Sequence, residues 1–216
     1  MTLEREKVRE KIIAATLALL DEGGLEKVKA RSVSERTGVS VGTIYNFFGN
    51  VDGLLLEVGS LIFGALNALG QEQMKLIDAK LQAALARGEL ADTPQDKTRY
   101  RLLSLSEVYI GFVDAHARRW GAVLAFNRSR PAPLPDWYVA QMDALISIVS
   151  SVLEESPLGT QVKSRALAAR ALWSAVHGIV TLNYLDQPNE AGKSQTQAQI
   201  EVLISYFVTG LYADAA

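Results

Sequence analysis

The sequence predicts an all-α protein, with a small three-helix N-terminal domain followed by a larger helical one. Two observations lead there. Apolar residues recur at helical spacing through most of the chain, and no stretch shows the period-two alternation of a half-buried strand. Six prolines and the glycines punctuate these periodic stretches.

The first helix is expected over Glu4–Glu22, where Val8, Ile12, Ala15 and Leu19 fall on one face. Gly23-Gly24 ends it, as glycine past a last turn does. A short helix over Ala30–Thr37 follows, then a turn at Gly38-Val39-Ser40. Ser40 is a good N-cap for a third helix over Val41–Phe47, and Asn50 for a fourth carrying Leu54, Leu55, Val58 and Ile62. That fourth stretch spans 51–87, with a break expected near Gly70. Further helices are expected at 95–115, 117–128, 135–155, 160–186 and 195–213. PAPLP at 131–135 is a firm break, because proline removes a donor and clashes with the preceding turn. Polar gaps at 156–159 and 187–194 read as loops.

Bulk properties narrow the function classes. With 216 residues and 49% hydrophobic content, the chain can build a sizeable core. It has no cysteine, which rules out disulfides and cysteine metal sites and fits a reducing cytosol. No apolar run reaches the ~18 residues of a membrane span, so a transmembrane helix is not expected. MTLEREKVRE lacks the apolar centre of a signal peptide. A cytoplasmic protein without a membrane role is expected. The net charge is −2; residues 1–50 carry eight Lys/Arg against seven Asp/Glu. Any nucleic-acid contact must therefore come from a local patch.

RTGVSVGTIYNFF, residues 36–48, supplies such a patch. At roughly 100° per residue, Ile44 and Phe48 fall together near Val41 and face inward. Gly42, Thr43 and Asn46 fall opposite, with Tyr45 and Phe47 on the flanks. A helix with a small polar outer face, entered through a tight glycine turn from another short helix, is a helix-turn-helix. Such a face suits the DNA major groove. Gly42 permits close approach, Thr43 can meet a base, a thymine methyl or a phosphate, and the Tyr45 hydroxyl can donate to phosphate.

Residues 9–58 resemble the DNA-binding domain of the TetR family of transcriptional regulators. The likeness rests on REKIIAATLALLDEGG, RSVSERTGVSVGTIYNFF and DGLLLEV. WSAVHG at 173–178 is similar to the Trp-His-Gly element of one class of C-terminal domains in that family. The resemblance implies a helix-turn-helix DNA-binding domain at 1–50 and a ligand-binding and dimerisation domain at 51–216. It implies DNA contact through Arg31 near the start of the second helix, through Ser40, Val41, Gly42 and Thr43 at the start of the recognition helix, and through the phosphate-contacting Tyr45. Asn46 matches a position that helps set sequence preference. Three positions depart from the pattern. Lys29 replaces a capping threonine or serine, although its charge can still reach phosphate. Phe47 replaces a histidine or tyrosine and cannot hydrogen-bond. Val51 replaces a phosphate-binding lysine. Phosphate neutralisation supplies much of DNA affinity. The expectation is weaker or less salt-sensitive binding, or compensation by Lys27, Lys29, Arg5 and Arg9. Arg5, Lys7, Arg9 and Lys11 alternate with Glu4, Glu6 and Glu10, which reads first as a solvated helix face with local ion pairs.

The last two helices are rich in apolar residues. Nine of fourteen residues are apolar in LWSAVHGIVTLNYL (172–185), and nine of thirteen in IEVLISYFVTGLY (200–212). Such helices need cover on more than one side. With the resemblance, this gives a homodimer through helices 160–186 and 195–213, aided by the small residues Ala168, Ala171, Ala175 and Gly178. A dimer reads a palindromic operator with two recognition helices.

The middle of the chain is aromatic, and the resemblance places an effector pocket there. The candidate lining is Phe63, Tyr109, Phe112, His116, Trp120, Phe126 and Trp137, with Trp173 and His177 from the Trp-His-Gly element. A mostly apolar effector is expected. His116 and His177 lie in apolar settings with no Asp or Glu at i+3 or i+4, so core histidines account for them better than a metal site does. No cofactor is implied. Ser174 lies three residues before His177, but nothing evident supplies an oxyanion hole or an orienting acid, so an enzyme is not expected. The resulting function is a DNA-binding regulator, in the first instance a repressor released by its effector. The rival is a small-molecule or protein-interaction module on the same fold that has lost DNA binding, motivated by Phe47, Val51 and the net charge.

Overall fold

The computed structural model describes residues 2–185 and 189–213, and the described residues are helical with short connections. The helices are α1 (Thr2–Gly23), α2 (Ala30–Thr37), α3 (Val41–Phe48), α4 (Val51–Ala86), α5 (Pro94–Ser129), α6 (Asp136–Val152), α7 (Val162–Val180) and α8 (Glu190–Ala213). Single 3-10 turns follow α1 and α6, and a π turn over Thr181–Leu185 follows α7. The expected end of a helix at residue 186 and the start of the 187–194 loop lie outside the described residues. Residues 190–194 are the first turn of α8 rather than loop, because Asn189 accepts from the Gly192 amide at 2.8 Å and so caps the helix.

Two further expected boundaries move. α4 does not break at Gly70. One glycine costs a helix only about 0.5–1 kcal/mol relative to alanine, and its missing side chain makes room for Ile148 of α6. The helices expected at 95–115 and 117–128 form one element, α5, bent at His116, whose backbone (φ −132°, ψ 26°) leaves the helical region. Contrary to expectation, α4 contains a stretch long and apolar enough by length and composition to cross a membrane. Half of that stretch is buried inside the protein.

The chain forms two compact units. The first comprises residues 1–64 and 116–139. Its core gathers Ile12 and Leu20 of α1, Val33 of α2, Ile44 of α3 and Leu54 of α4, all essentially without solvent exposure. The later half of α5 belongs to this unit. Phe63 of α4 packs edge-on against Trp120 at 5.3 Å and against Tyr138 at 5.6 Å. Arg118 donates to the Asp21 carbonyl at 2.8 Å and so satisfies an open acceptor at the end of α1. Arg119 pairs with the Asp21 carboxylate. Tyr138 is fully buried, donates to Asn127 Oδ1 at 3.0 Å, and has its pKa pushed up to about 12 by burial.

The second unit comprises residues 65–115 and 140–216. Arg101 of α5 bridges Asp78 of α4 at 2.8 Å and Glu155 at 2.7 Å. Asp114 accepts from Tyr184 in the π turn and, at 2.7 Å, from Lys193 of α8. Hydrogen bonds from Lys193 and Tyr184 hold its pKa below the ordinary value. The inner faces of α7 and α8 bury Leu172, Val176, Val180, Ile200, Ile204 and Val208.

Candidate nucleic-acid interface and cavity

The hairpin of α2 and α3 is built by its caps. Gly38 takes φ +69° and ψ 10°, a left-handed conformation that side chains resist, and its amide donates to the Ser34 carbonyl at 2.8 Å. Thr37 reinforces the turn by donating to the Val33 carbonyl at 2.7 Å while accepting from the Val39 amide at 3.2 Å. Ser40 then caps α3: its Oγ accepts from the Thr43 amide at 3.1 Å and lies 2.9 Å from the Thr43 hydroxyl. Asn50 caps α4 by accepting from the Gly53 amide at 2.8 Å.

Burial divides α3 into two faces. Ile44 and Phe48 are buried, Gly42 and Asn46 are exposed, and Tyr45 is 42% exposed. Val41 and Thr43 are half-buried at the border. On α2, Lys29 and Arg31 are exposed, and Lys29 stands at the N-cap position without a capping side-chain bond. The first-turn amides of α2 thus donate to no cap side chain. Nearby cations differ in how committed they are. Arg36 makes a paired bond to Glu22 at 2.7 and 2.8 Å, which lowers the Glu22 pKa. Arg9 is engaged by Glu57, with Glu6 at 3.7 Å. The guanidinium carbon of Arg5 lies over the Phe47 ring, 5.2 Å from its centre.

The second unit contains a cavity of about 60 Å³. Its walls are mostly aliphatic, with Leu66 and Gly70 from α4, Leu105 from α5, Ile148 from α6, Val176 from α7 and Ile204 from α8. Tyr109 and Trp173 also line it. The Tyr109 hydroxyl lies 2.7 Å from His177 Nδ1, and the rings of Trp173 and His177 stack at 6.0 Å with 9° between planes. Ser106, a further polar side chain in the lining, donates to the Leu103 carbonyl. Among the described residues, no charged side chain lines this cavity.

The nine aromatic and histidine candidates therefore separate. Tyr109 and Trp173 line the cavity, and His177 is bonded to Tyr109. Phe112 is buried in the same unit without lining it. Phe63, Trp120, Phe126 and Trp137 belong to the first unit. There Phe63 and Trp120 pack together, Trp137 stands edge-on to Tyr138, and Phe126 borders a separate cleft of about 260 Å³ with Asp52 and Arg130. His116 forms the bend of α5. The aliphatic lining residues were missed because a leucine facing a cavity has the same spacing as one facing the core. Gly70 alone carried a signal, and it read as a helix break.

A short helix presented outward by a glycine turn, in a chain whose second unit is helical and carries an apolar cavity, defines a helix-turn-helix protein with a helical C-terminal domain. Residues 12–58 match the family profile described as "Bacterial regulatory proteins, tetR family". Residues 102–206 match the profile "Tetracyclin repressor-like, C-terminal domain". Among relatives, the HTH-type transcriptional repressor KstR of Mycolicibacterium smegmatis is 38% identical over 104 residues, covering 48% of this chain and 43% of that protein. The chain spans less than half the length of the KstR relatives it matches. A tetR-family regulator structure from Mesorhizobium loti aligns with a TM-score of 0.64 at 14% identity, covering 95% and 96% of the two chains. Thermus thermophilus FadR, solved in complex with lauroyl-CoA, aligns at 0.56 and 19% identity, covering 91% and 92%. At these identities the structural likeness is one of fold. The chain belongs to the TetR family of transcriptional regulators.

Proposed function

We propose that the protein is a cytoplasmic, DNA-binding transcriptional repressor, not an enzyme, that reads a palindromic operator as a homodimer and is released by a small, mostly apolar effector. The observation that carries the reading is the outer face of α3: Gly42 and Asn46 are exposed with Thr43 at the border, while Ile44 and Phe48 fix the helix from behind. That face has no packing role, and it is small enough to enter a major groove. Thr43, Gly42 and Asn46 meet bases. Lys29, Arg31, Ser40, Val41 and Tyr45 position the helix on phosphates.

Support for the homodimer comes from the outer faces of α7 and α8. Leu167 of α7 (69% exposed), Leu182 of the π turn that follows it (72%), and Val202 (56%) and Tyr206 (76%) of α8 are exposed, with the exposed small residues Ala171 and Ala198 one turn from Leu167 and Val202. Large apolar side chains exposed in this way mark an interaction surface. A second copy of the chain covers them.

Support for an apolar effector comes from the uncharged cavity. At about 60 Å³ it is well below the ~300–1,000 Å³ of ordinary ligand pockets. An effector that spreads its walls would favour a second conformation with different DNA affinity. The occupant is a hydrocarbon chain or ring with one neutral polar group against Tyr109. The lauroyl-CoA complex of Thermus thermophilus FadR is consistent with an acyl chain, whose charged carrier would stay outside.

The test is enrichment of genomic fragments by the purified protein, then fluorescence anisotropy on the best fragment across a salt series. Thr43→Ala and Tyr45→Phe run beside the wild type. A palindrome bound more weakly by both variants supports the reading. No enrichment at low salt would leave a ligand-binding module that has lost DNA binding.

A further inference from the structure

Phe47 stands where the resemblance implies a hydrogen-bonding residue, and the sequence alone makes it a missing phosphate hydrogen bond. Its surroundings give it another role. Phe47 lies four residues after Thr43, so the two share one strip of α3 at the edge of the outward face. Its ring centre is 6.0 Å from that of the buried Phe48. Over its face lies the Arg5 guanidinium of α1, 5.2 Å from the ring centre. Among the described residues no carboxylate pairs with Arg5, whereas Arg9, one helical turn on, is engaged by Glu57 and Glu6.

Stacking suits arginine because its five N–H donors lie in the guanidinium plane. A ring beneath that plane is attracted to the cation and leaves the donor edge open. The same edge matches two oxygens of a phosphate. A flexible arginine at the start of a helix would lose rotamer freedom on binding; the ring removes part of that freedom beforehand.

We infer that Arg5, whose guanidinium lies over the face of Phe47, is a phosphate-contacting residue, and that Phe47 is the positioning residue that replaces a direct hydrogen bond with an oriented guanidinium. This rests on the DNA-binding reading above, and the experiment separates the two.

The full-length wild type, Arg5→Ala, Phe47→Leu, Phe47→Tyr and the pair Arg5→Ala/Phe47→Leu are titrated from low to high salt. The probe is the palindromic duplex the wild type enriches, or a mixed-sequence duplex at low salt if it enriches none. Thr43→Ala is the control for groove reading, and thermal melts by circular dichroism check folding. Removing one phosphate contact lowers the slope of log K against log salt by about 0.9, which is about eightfold in affinity at 0.1 M salt. Arg5→Ala is expected to lose that much for each recognition helix. Phe47→Leu weakens binding several-fold, Phe47→Tyr keeps the ring and binds at least as tightly as the wild type because its hydroxyl can add a phosphate hydrogen bond, and the double variant is no weaker than Arg5→Ala alone. Arg5→Ala with an unchanged salt slope, while Thr43→Ala still weakens binding, overturns the inference and leaves the DNA-binding reading intact. A normal Phe47→Leu beside a weakened Arg5→Ala overturns the positioning role. A wild type that binds no duplex at any salt removes both.

Discussion

Adding a single methyl group at Gly53 tests how rigidly α3 is held. Gly53 lies in the first turn of α4, with its amide bound to the Asn50 cap. A Cβ built there falls 2.0 Å from the Phe48 carbonyl oxygen and 3.1 Å from its carbon. Ordinary contact begins at 3.4 Å, so Gly53→Ala demands more than an ångström of movement. The obstacle is backbone, which cannot swing aside as a side-chain tip does, and Phe48 is itself anchored in the core. Overpacking of this kind costs about 1–3 kcal/mol. Replacing glycine by alanine within a helix returns at most about 0.5–1 kcal/mol. The net loss is about 0–2.5 kcal/mol with a midpoint near 1, a drop of about 2–4 °C in Tm at that midpoint for a chain of this length. Gly64, also in α4, has nothing within 4 Å of its added Cβ and serves as the control. Thermal unfolding of the two variants should move in opposite directions, Gly64→Ala upward and Gly53→Ala downward. Gly53→Ala should also bind DNA more weakly at temperatures where it is fully folded, because the strain is relieved by displacing the end of the reading helix. A Tm for Gly53→Ala at or above the wild type would refute the argument that this junction is closely packed.

Three further outcomes follow from the geometry. Tyr138 has its pKa raised from 10.0 to about 12, so it contributes stability that is complete below pH 10 and fades as pH climbs toward 12. Tyr138→Phe should lose roughly 1 kcal/mol at neutral pH with its bond to Asn127, yet show a shallower alkaline decline in pH-dependent melts. The decline persists in part because Tyr184 is also raised to about 12. Gly70→Ala adds a methyl that meets only the tip of Ile148, at 2.9 Å. It should leave Tm unchanged or raise it, and reduce binding of an apolar fluorescent probe by narrowing the cavity; undiminished probe binding would place the ligand elsewhere. Leu182→Glu in the π turn after α7, with Tyr206→Glu on α8, puts charge on the exposed apolar surface. Light scattering should then report a monomer, and DNA affinity should fall by about 10²-fold or more as the second half-site ceases to be tethered.

The parts of the fold that were legible are those that local chemistry decides. Ser40, Gly38 and Asn50 announce their caps and turn because the backbone there needs a particular oxygen or a particular φ, and no distant residue can alter that need. The inward placing of Ile44 and Phe48 follows equally from helical period alone. The uncertain parts depended on what lay across the packing. Gly70 reads as a break until Ile148 occupies the space it leaves. The bend at His116 occurs within a sequence that stays helix-forming on both sides, so composition announces no boundary there.

The aromatic residues show the same limit more sharply. Phe63, Trp120 and Tyr109 are alike in size and apolar character. Yet Phe63 and Trp120 fill the core of one unit and Tyr109 faces a cavity in the other. Their difference lies in the partner across the packing, which helical spacing does not encode. Phe47 turns on this point. Taken alone it can only subtract a hydrogen bond. With Arg5 across its ring, the phenyl group that cannot bond one phosphate becomes the surface that orients a cation toward another. Weak binding by this chain therefore does not follow from counting the family's missing hydrogen bonds, because an arginine on α1 can supply the phosphate bond that α3 does not make.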